Sequence, residues 1–92
     1  MKTITKTRIE EFKDYLMEQE KSKLTIEKYI RDVIKFYNWL DCKEFNKICV
    51  LKYKAYLIEN YSTASTNFML SSLNSFFTYL EWFELRVKTI KV

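Results

Sequence analysis

The sequence predicts an all-α domain, a compact bundle of four helices. It contains no glycine and no proline, so tight turns with positive φ should be scarce and long helices with short polar joints are favoured. Hydrophobic residues make up 48% of the chain and aromatic residues 17%, which excludes a disordered chain. A length of 92 residues fits one domain with a single core.

The first two predicted helices differ in charge. The first runs from about Thr7 to Lys21 and carries five of the chain's twelve acids, Glu10, Glu11, Asp14, Glu18 and Glu20, beside an apolar side of Ile9, Phe12, Tyr15 and Leu16. The second runs from Thr25, the predicted N-cap, to about Asp41. On a helical wheel its apolar residues fall opposite three cations, Lys28, Arg31 and Lys35, and Lys21 and Lys23 come just before it. These cations indicate either a solvated face or a surface for an anionic partner.

The third predicted helix begins after Asn46. Its apolar residues at helical spacing are Ile48, Leu51, Ala55 and Ile58, and the same face is widened by Val50, Tyr53, Tyr56 and Leu57. This face is expected to enter the core.

The fourth predicted helix, from about Thr63 to Glu81, has an uncharged polar face. The chain carries no charge from Asn60 to Leu80, although 30% of the whole sequence is charged. Opposite an apolar stripe that includes Met69 and Leu73 lie the short polar residues Asn67, Ser71, Asn74 and Thr78, with Thr63 and Ser75 at the margins. Such a face can approach a polyanion closely and donate hydrogen bonds to phosphates or base edges. The alternatives are a face buried against another domain and a plain solvent-facing surface.

The C-terminal segment, Arg86 to Val92, alternates polar and apolar residues and carries three positive charges without an acid. It is predicted to be extended rather than helical, and we call it the strap. It ends without a capping signal, which favours a piece of a longer chain.

Several kinds of chemistry are excluded by composition. With no histidine in the chain, a Ser-His-Asp or Cys-His catalytic arrangement is impossible, and with no glycine a Gly-rich phosphate loop is absent. The two cysteines, Cys42 and Cys49, lack further zinc ligands of the usual kinds and are expected to be reduced thiols. No metal, cofactor or catalytic residue is predicted. The absence of a membrane span and of a leader predicts a cytoplasmic location.

Three motifs resemble the N-terminal core-binding domain of tyrosine recombinases, the phage integrase superfamily, whose helical domain is described as SAM-like. The first is Phe12-Lys13-Asp14-Tyr15-Leu16, the family's F-x-x-Y-L. The second comprises Ser22, Thr25, Tyr29, Asp32, Phe36 and Leu40, and the third comprises Ser65, Asn67, Leu70, Ser71, Leu73, Phe76, Phe77, Tyr79 and Leu80. All three occur in the family's order and cover nearly the whole chain.

The resemblance implies an orthogonal four-helix bundle that contacts duplex DNA through its second and fourth helices. It implies a domain at residues 1–85, a linker at 86–92 towards a C-terminal catalytic domain that carries the catalytic tyrosine, and partnership with other recombinase protomers of a mobile element or phage. Relatives often have a Gly- and Pro-containing turn after the fourth helix, where this chain has Glu81 to Leu85. The wheel and the motifs together predict the following DNA-binding residues: Lys21, Ser22, Lys23, Thr25, Lys28, Arg31, Lys35, Thr63, Ser65, Asn67, Ser71, Asn74, Arg86 and Lys88.

Two other interpretations stay open, a helical protein-interaction module and a small regulator of helix-turn-helix type. The long Ser-rich fourth helix fits a recognition helix poorly. Trp39 and Phe68 lie off their apolar stripes, and packing on a neighbouring protomer is favoured over contact with a sugar. Trp82 and Phe83 are expected to cap the core.

Overall fold

A computed structural model describes residues 2–40 and 44–91 and confirms the all-α prediction. The four helices are α1 (Lys6–Glu18), α2 (Lys23–Trp39), α3 (Lys47–Asn60) and α4 (Thr63–Tyr79). Two short strands, β1 (Lys2–Thr3) and β2 (Glu44–Phe45), pair antiparallel with Lys2 opposite Phe45, and a single 3₁₀ turn covers Phe83–Leu85. The predicted end of the second helix at Asp41, and Cys42, lie outside the described residues.

Each helix begins at a polar residue whose side-chain oxygen accepts a backbone N–H of the first turn. Asn46 caps α3, which begins after this residue as predicted, and Thr5 and Ser62 cap α1 and α4. The predicted cap of α2 was wrong, because the Ser22 hydroxyl accepts the Thr25 N–H at 3.2 Å. The helix therefore starts before Thr25, which lies inside its first turn.

The two helices predicted to end at Lys21 and Glu81 end earlier, in turns built without glycine. Glu20 has φ of 58° and Glu81 has φ of 61°, both left-handed. After α1 the Lys21 N–H bonds the Leu16 carbonyl, and after α4 the Trp82 N–H bonds the Phe77 carbonyl, the long bond of a Schellman motif. A left-handed non-glycine residue costs about 1–2 kcal/mol, so these turns depend on the packing that follows them.

An aromatic cluster forms the centre of the core, where α4 packs against α2 and α3. The ring of Phe36 lies 4.8 Å from Tyr53 and 6.1 Å from Phe77, measured between centroids. The Trp39 ring packs within the domain, with its centroid 5.0 Å from that of Tyr53. The side chain therefore does not need the expected contact with a neighbouring protomer to be covered. Trp82 is buried, as expected, whereas Phe83 is 56% exposed.

The face of α3 that enters the core differs from the expected one. Val50, Tyr53 and Leu57 are buried, whereas the principal predicted stripe, Ile48, Leu51, Ala55 and Ile58, is exposed. Because α3 is apolar on both sides, its periodicity alone does not show which side packs. The side that carries the large Tyr53 ring meets the aromatic cluster.

A buried polar contact joins α2 to α4. The Ser72 hydroxyl donates to Oδ2 of Asp32 at 2.7 Å, and Asp32 is 3% exposed while Ser72 is fully buried. A buried carboxylate without a donor carries a large desolvation cost, so this bond fixes how the two helices meet.

Ser72→Ala should lower the free energy of unfolding by about 1–3 kcal/mol, because the buried Asp32 carboxylate loses its donor. Ser71→Ala is the matched control, since Ser71 is exposed on the same helix and its loss should change stability by less than about 0.5 kcal/mol. Urea unfolding followed by circular dichroism measures both. Equal stability of the two variants would contradict the role given to the buried pair.

Candidate nucleic-acid interface

Two of the predicted cations of α2 lie over aromatic rings at the edge of α4. The Lys28 Nζ is 3.6 Å from the centroid of the Phe68 ring, and the Lys35 Nζ is 4.6 Å from that of Tyr61. Phe68 is 57% exposed, so its ring lies at the surface beneath the ammonium group. The attraction between cation and ring restrains both lysines on the side of α2 that faces α4.

The same edge forms a shallow recess of about 310 Å³ that brings Lys28, Arg31 and Lys35 together with Ser65. Asp32 lies at its base, with Oδ1 3.7 Å from the Arg31 Nε. Neither Lys28 nor Lys35 forms an ion pair with a carboxylate of the described residues. Two cations of this recess therefore remain without a neutralising partner in the part of the chain that the structure describes.

The uncharged face of α4 borders a second and larger recess of about 600 Å³. Ser71, Ser75 and Thr78 line it from α4, with Lys21 from the end of α1 and Arg86 from the strap. Glu81 also lines this recess, so its electrostatic character is mixed. The structure thus gathers Lys21, Ser71 and Arg86 around one opening beside the α2 edge.

Acidic side chains of α1 border the end of α4. Glu11, Asp14 and Glu18 lie beside Tyr79 around a small surface recess. Burial, and then the negative charges of these carboxylates, raise the pKa of the Tyr79 hydroxyl. The acidic side of α1 therefore marks a boundary where a polyanion would be repelled.

Asn67 and Asn74 bond the strap rather than pointing freely outward. Asn74 accepts the Val87 N–H at 3.0 Å and donates to its carbonyl at 2.8 Å. Asn67 does the same with Ile90, at 2.7 Å and 2.9 Å. We call these four hydrogen bonds the asparagine clasp; they hold the extended strap along α4 over two helical turns.

Lysines of α3 complete the attachment of the strap. The Lys54 Nζ donates to the Lys88 carbonyl at 2.6 Å, and the Lys47 Nζ donates to the carbonyls of Glu84, at 3.3 Å, and Arg86. The Val87 side chain is buried, at 6% exposure. The strap is extended as predicted and is packed on α3 and α4.

The other predicted contact residues lie apart from this surface or at its ends. Ser22 and Thr25 are at the start of α2 and bond each other, hydroxyl to hydroxyl, at 2.9 Å. Lys23 lines a different recess, between α1 and α2, and Lys88 lies beside α3 through its carbonyl. Thr63 is exposed in the first turn of α4.

Sequence reasoning missed Tyr61 as a partner of Lys35 and assigned Phe68 to packing on another protomer. For Phe68 the sequence did contain a signal: this aromatic residue lies outside the apolar stripe of α4, the helix predicted to lie beside the cationic α2. Sequence reasoning also missed the asparagine clasp, because bonds between a side chain and distant backbone leave no periodic pattern.

The model of the family described as "Phage integrase, N-terminal SAM-like domain" matches residues 9–84. The chain belongs to this family. The match to this integrase domain begins inside α1, covers α2, α3 and α4 and ends before the strap. Domains of this family are a non-catalytic part of integrases. Comparisons with curated proteins and with solved structures gave no significant match.

Two other kinds of site find no support in the described residues. No helix formed by residues 2–40 and 44–91 has the length and apolar character needed to cross a bilayer. Within the same residues, no group of three or more His, Cys, Asp or Glu side chains is arranged to hold a metal ion.

Asn67→Ala combined with Asn74→Ala should release the strap while leaving the four helices folded. Each amide makes two hydrogen bonds, each with a net value of about 1 kcal/mol, so protection of the Val87 and Ile90 amides against hydrogen exchange should fall at least about tenfold. Thr78→Ala, an exposed position of the same helix, is the control. Unchanged protection at both amides in the double variant would mean that the clasp does not hold the strap in solution.

Proposed function

We propose that this domain binds duplex DNA through the surface formed by α2 and α4, as part of a tyrosine recombinase. The observation that carries the proposal is an uncharged helix face bordered by lysines that form no ion pair with a carboxylate of residues 2–40 or 44–91. Lys28 and Lys35 are the central members, with Arg31 beside them. Membership of the integrase N-terminal domain family supports DNA as the partner.

In this proposal, the cations of α2 contact the phosphates of the DNA backbone. Lys28 and Lys35 are seven residues apart and therefore about 10 Å apart along the helix. Their side chains are already restrained over Phe68 and Tyr61, so less conformational entropy is lost when they meet phosphates. Such contacts position a protein on DNA without reading its sequence.

In the same proposal, the uncharged face of α4 is the part of the domain that lies closest to the duplex. Ser71, Ser75 and Thr78 have short side chains that donate hydrogen bonds and do not hold the duplex away. Lys21 and Arg86 add positive charge on the far side of this face. Asn67 and Asn74 support this side indirectly, since the clasp holds the strap that carries Arg86.

The remaining parts of the recombination machinery are proposed by the same reasoning. Residues 1–85 form the DNA-binding unit, and residues 86–92 lead towards a separate catalytic domain that performs the chemistry, so this unit itself is not an enzyme. Other recombinase protomers would join it on DNA. A helix-turn-helix mode is less well supported, because Asn67, the amide that a recognition helix would turn to a base edge, bonds the strap.

Replacement of Lys28 and Lys35 by glutamate should abolish binding to a duplex oligonucleotide in low-salt fluorescence anisotropy. For the wild type we expect nonspecific binding with a Kd of roughly 10⁻⁴–10⁻⁶ M. The affinity should fall steeply as salt rises, because about four to six phosphate contacts each release counterions. Loss of two contacts lowers affinity and the salt slope, and repulsion by the new carboxylates adds to the loss.

The matched control replaces Lys6 of α1 and Lys52 of α3, exposed lysines that line neither of the two recesses described above, by glutamate. It makes the same change in net charge away from the α2–α4 surface and should retain most of the binding. Circular dichroism verifies that both variants stay helical. Equal loss of binding in the two variants would reduce the effect to net charge and refute the assigned face.

A further inference from the structure

The outer face of α3 is an exposed apolar stripe that the described part of the chain leaves uncovered. Ile48 is 61% exposed, Leu51 46% and Ile58 50%, and Ala55 between them is also exposed. The opposite face of the same helix supplies the buried Val50, Tyr53 and Leu57. Isolated apolar residues on a surface are ordinary, but four in one line along a helix are not.

The spacing of this stripe matches the seam of a coiled coil. Steps of three, four and three residues separate Ile48, Leu51, Ala55 and Ile58, which gives the a, d, a, d positions of two heptads. A stripe of this kind is narrower than the face of a helix that packs into a globular core, and it receives a single partner helix.

The rim of the stripe is cationic. Lys52 and Lys54 flank it on α3, and the strap places Lys88 on the side of Lys54, whose Nζ donates to the Lys88 carbonyl. None of the three forms an ion pair with a described carboxylate, and Glu59 is the one acid of α3, in its last turn. An occupant with carboxylates at its flanking positions would complement this rim.

We propose that the outer face of α3 binds an acidic amphipathic helix from another protein or protein segment. Its apolar side would lie on Leu51 and Ile58, and its carboxylates would face Lys52 and Lys54. Nucleic acid does not fit, since the centre of the stripe is apolar. This inference is independent of the proposed DNA contact, which uses α2 and α4.

A second copy of the chain does not supply such a helix. The acidic helix α1 keeps its apolar residues Ile9, Phe12 and Leu16 in its own core, so it has no free seam to offer. Pairing of α3 with α3 of another copy would bring two lysine-rich rims together. The occupant is therefore a helix that combines a free apolar seam with acidic flanks.

The test uses the 92-residue chain and a designed peptide of about three heptads, with leucine at a and d and glutamate at e and g. Fluorescence anisotropy of the labelled peptide should show binding that weakens with salt. A control peptide with lysine at e and g should bind at least about tenfold more weakly. No binding of the glutamate peptide, or equal binding of both peptides, would overturn the proposal.

Leu51→Glu with Ile58→Glu should reduce peptide binding at least about tenfold. Leu24→Glu with Ile34→Glu is the matched control, since both residues are exposed apolar positions of α2, at 76% and 40%, and binding should be kept. Retained DNA binding by the Leu51/Ile58 variant, with unchanged helicity, separates this result from any failure of the DNA surface. Equal loss in both variant pairs, or self-association of the wild type through α3 in analytical ultracentrifugation, would overturn the assignment.

Discussion

The contact on which the proposed surface depends is the buried hydrogen bond between Ser72 and Asp32. It joins α2 to α4 through two buried side chains, and its 2.7 Å length and burial leave little freedom in how the helices meet. A slide by one turn would separate the pair and leave a carboxylate without a donor. The register that satisfies Asp32 also brings Lys28 over Phe68 and Lys35 over Tyr61.

The uncharged face of α4 becomes understandable once its neighbours are considered. The helix does not need its own cations, because α2 supplies them on one side, and Lys21 and Arg86 supply them on the other. Long charged side chains on α4 itself would occupy the space that short hydroxyl groups leave open. The positive charge of the surface thus comes from α2, Lys21 and Arg86, while the face of α4 between them stays neutral.

The sequence predicted the helices and the composition of the α2–α4 surface better than it predicted side-chain pairings. The start of α3 after Asn46 and the cations Lys28, Arg31 and Lys35 follow from local patterns, and the recess gathers these cations. The packed side of α3 could not be deduced, since both of its sides are apolar and only tertiary contacts with the aromatic cluster decide between them. The asparagine clasp could not be deduced either, because it joins side chains to the backbone of residues 13 and 23 positions away.

The asparagine clasp bonds only main-chain atoms of the strap, so these hydrogen bonds along α4 do not depend on the side chains of the two clasped residues. The buried position of Val87 requires an apolar side chain. Lys88 and Thr89, between the two clasped residues, are exposed, so side chains of other kinds can replace them. Mutations at those two positions can accumulate over evolution and alter the local electrostatic field while the chain keeps the same path along α4.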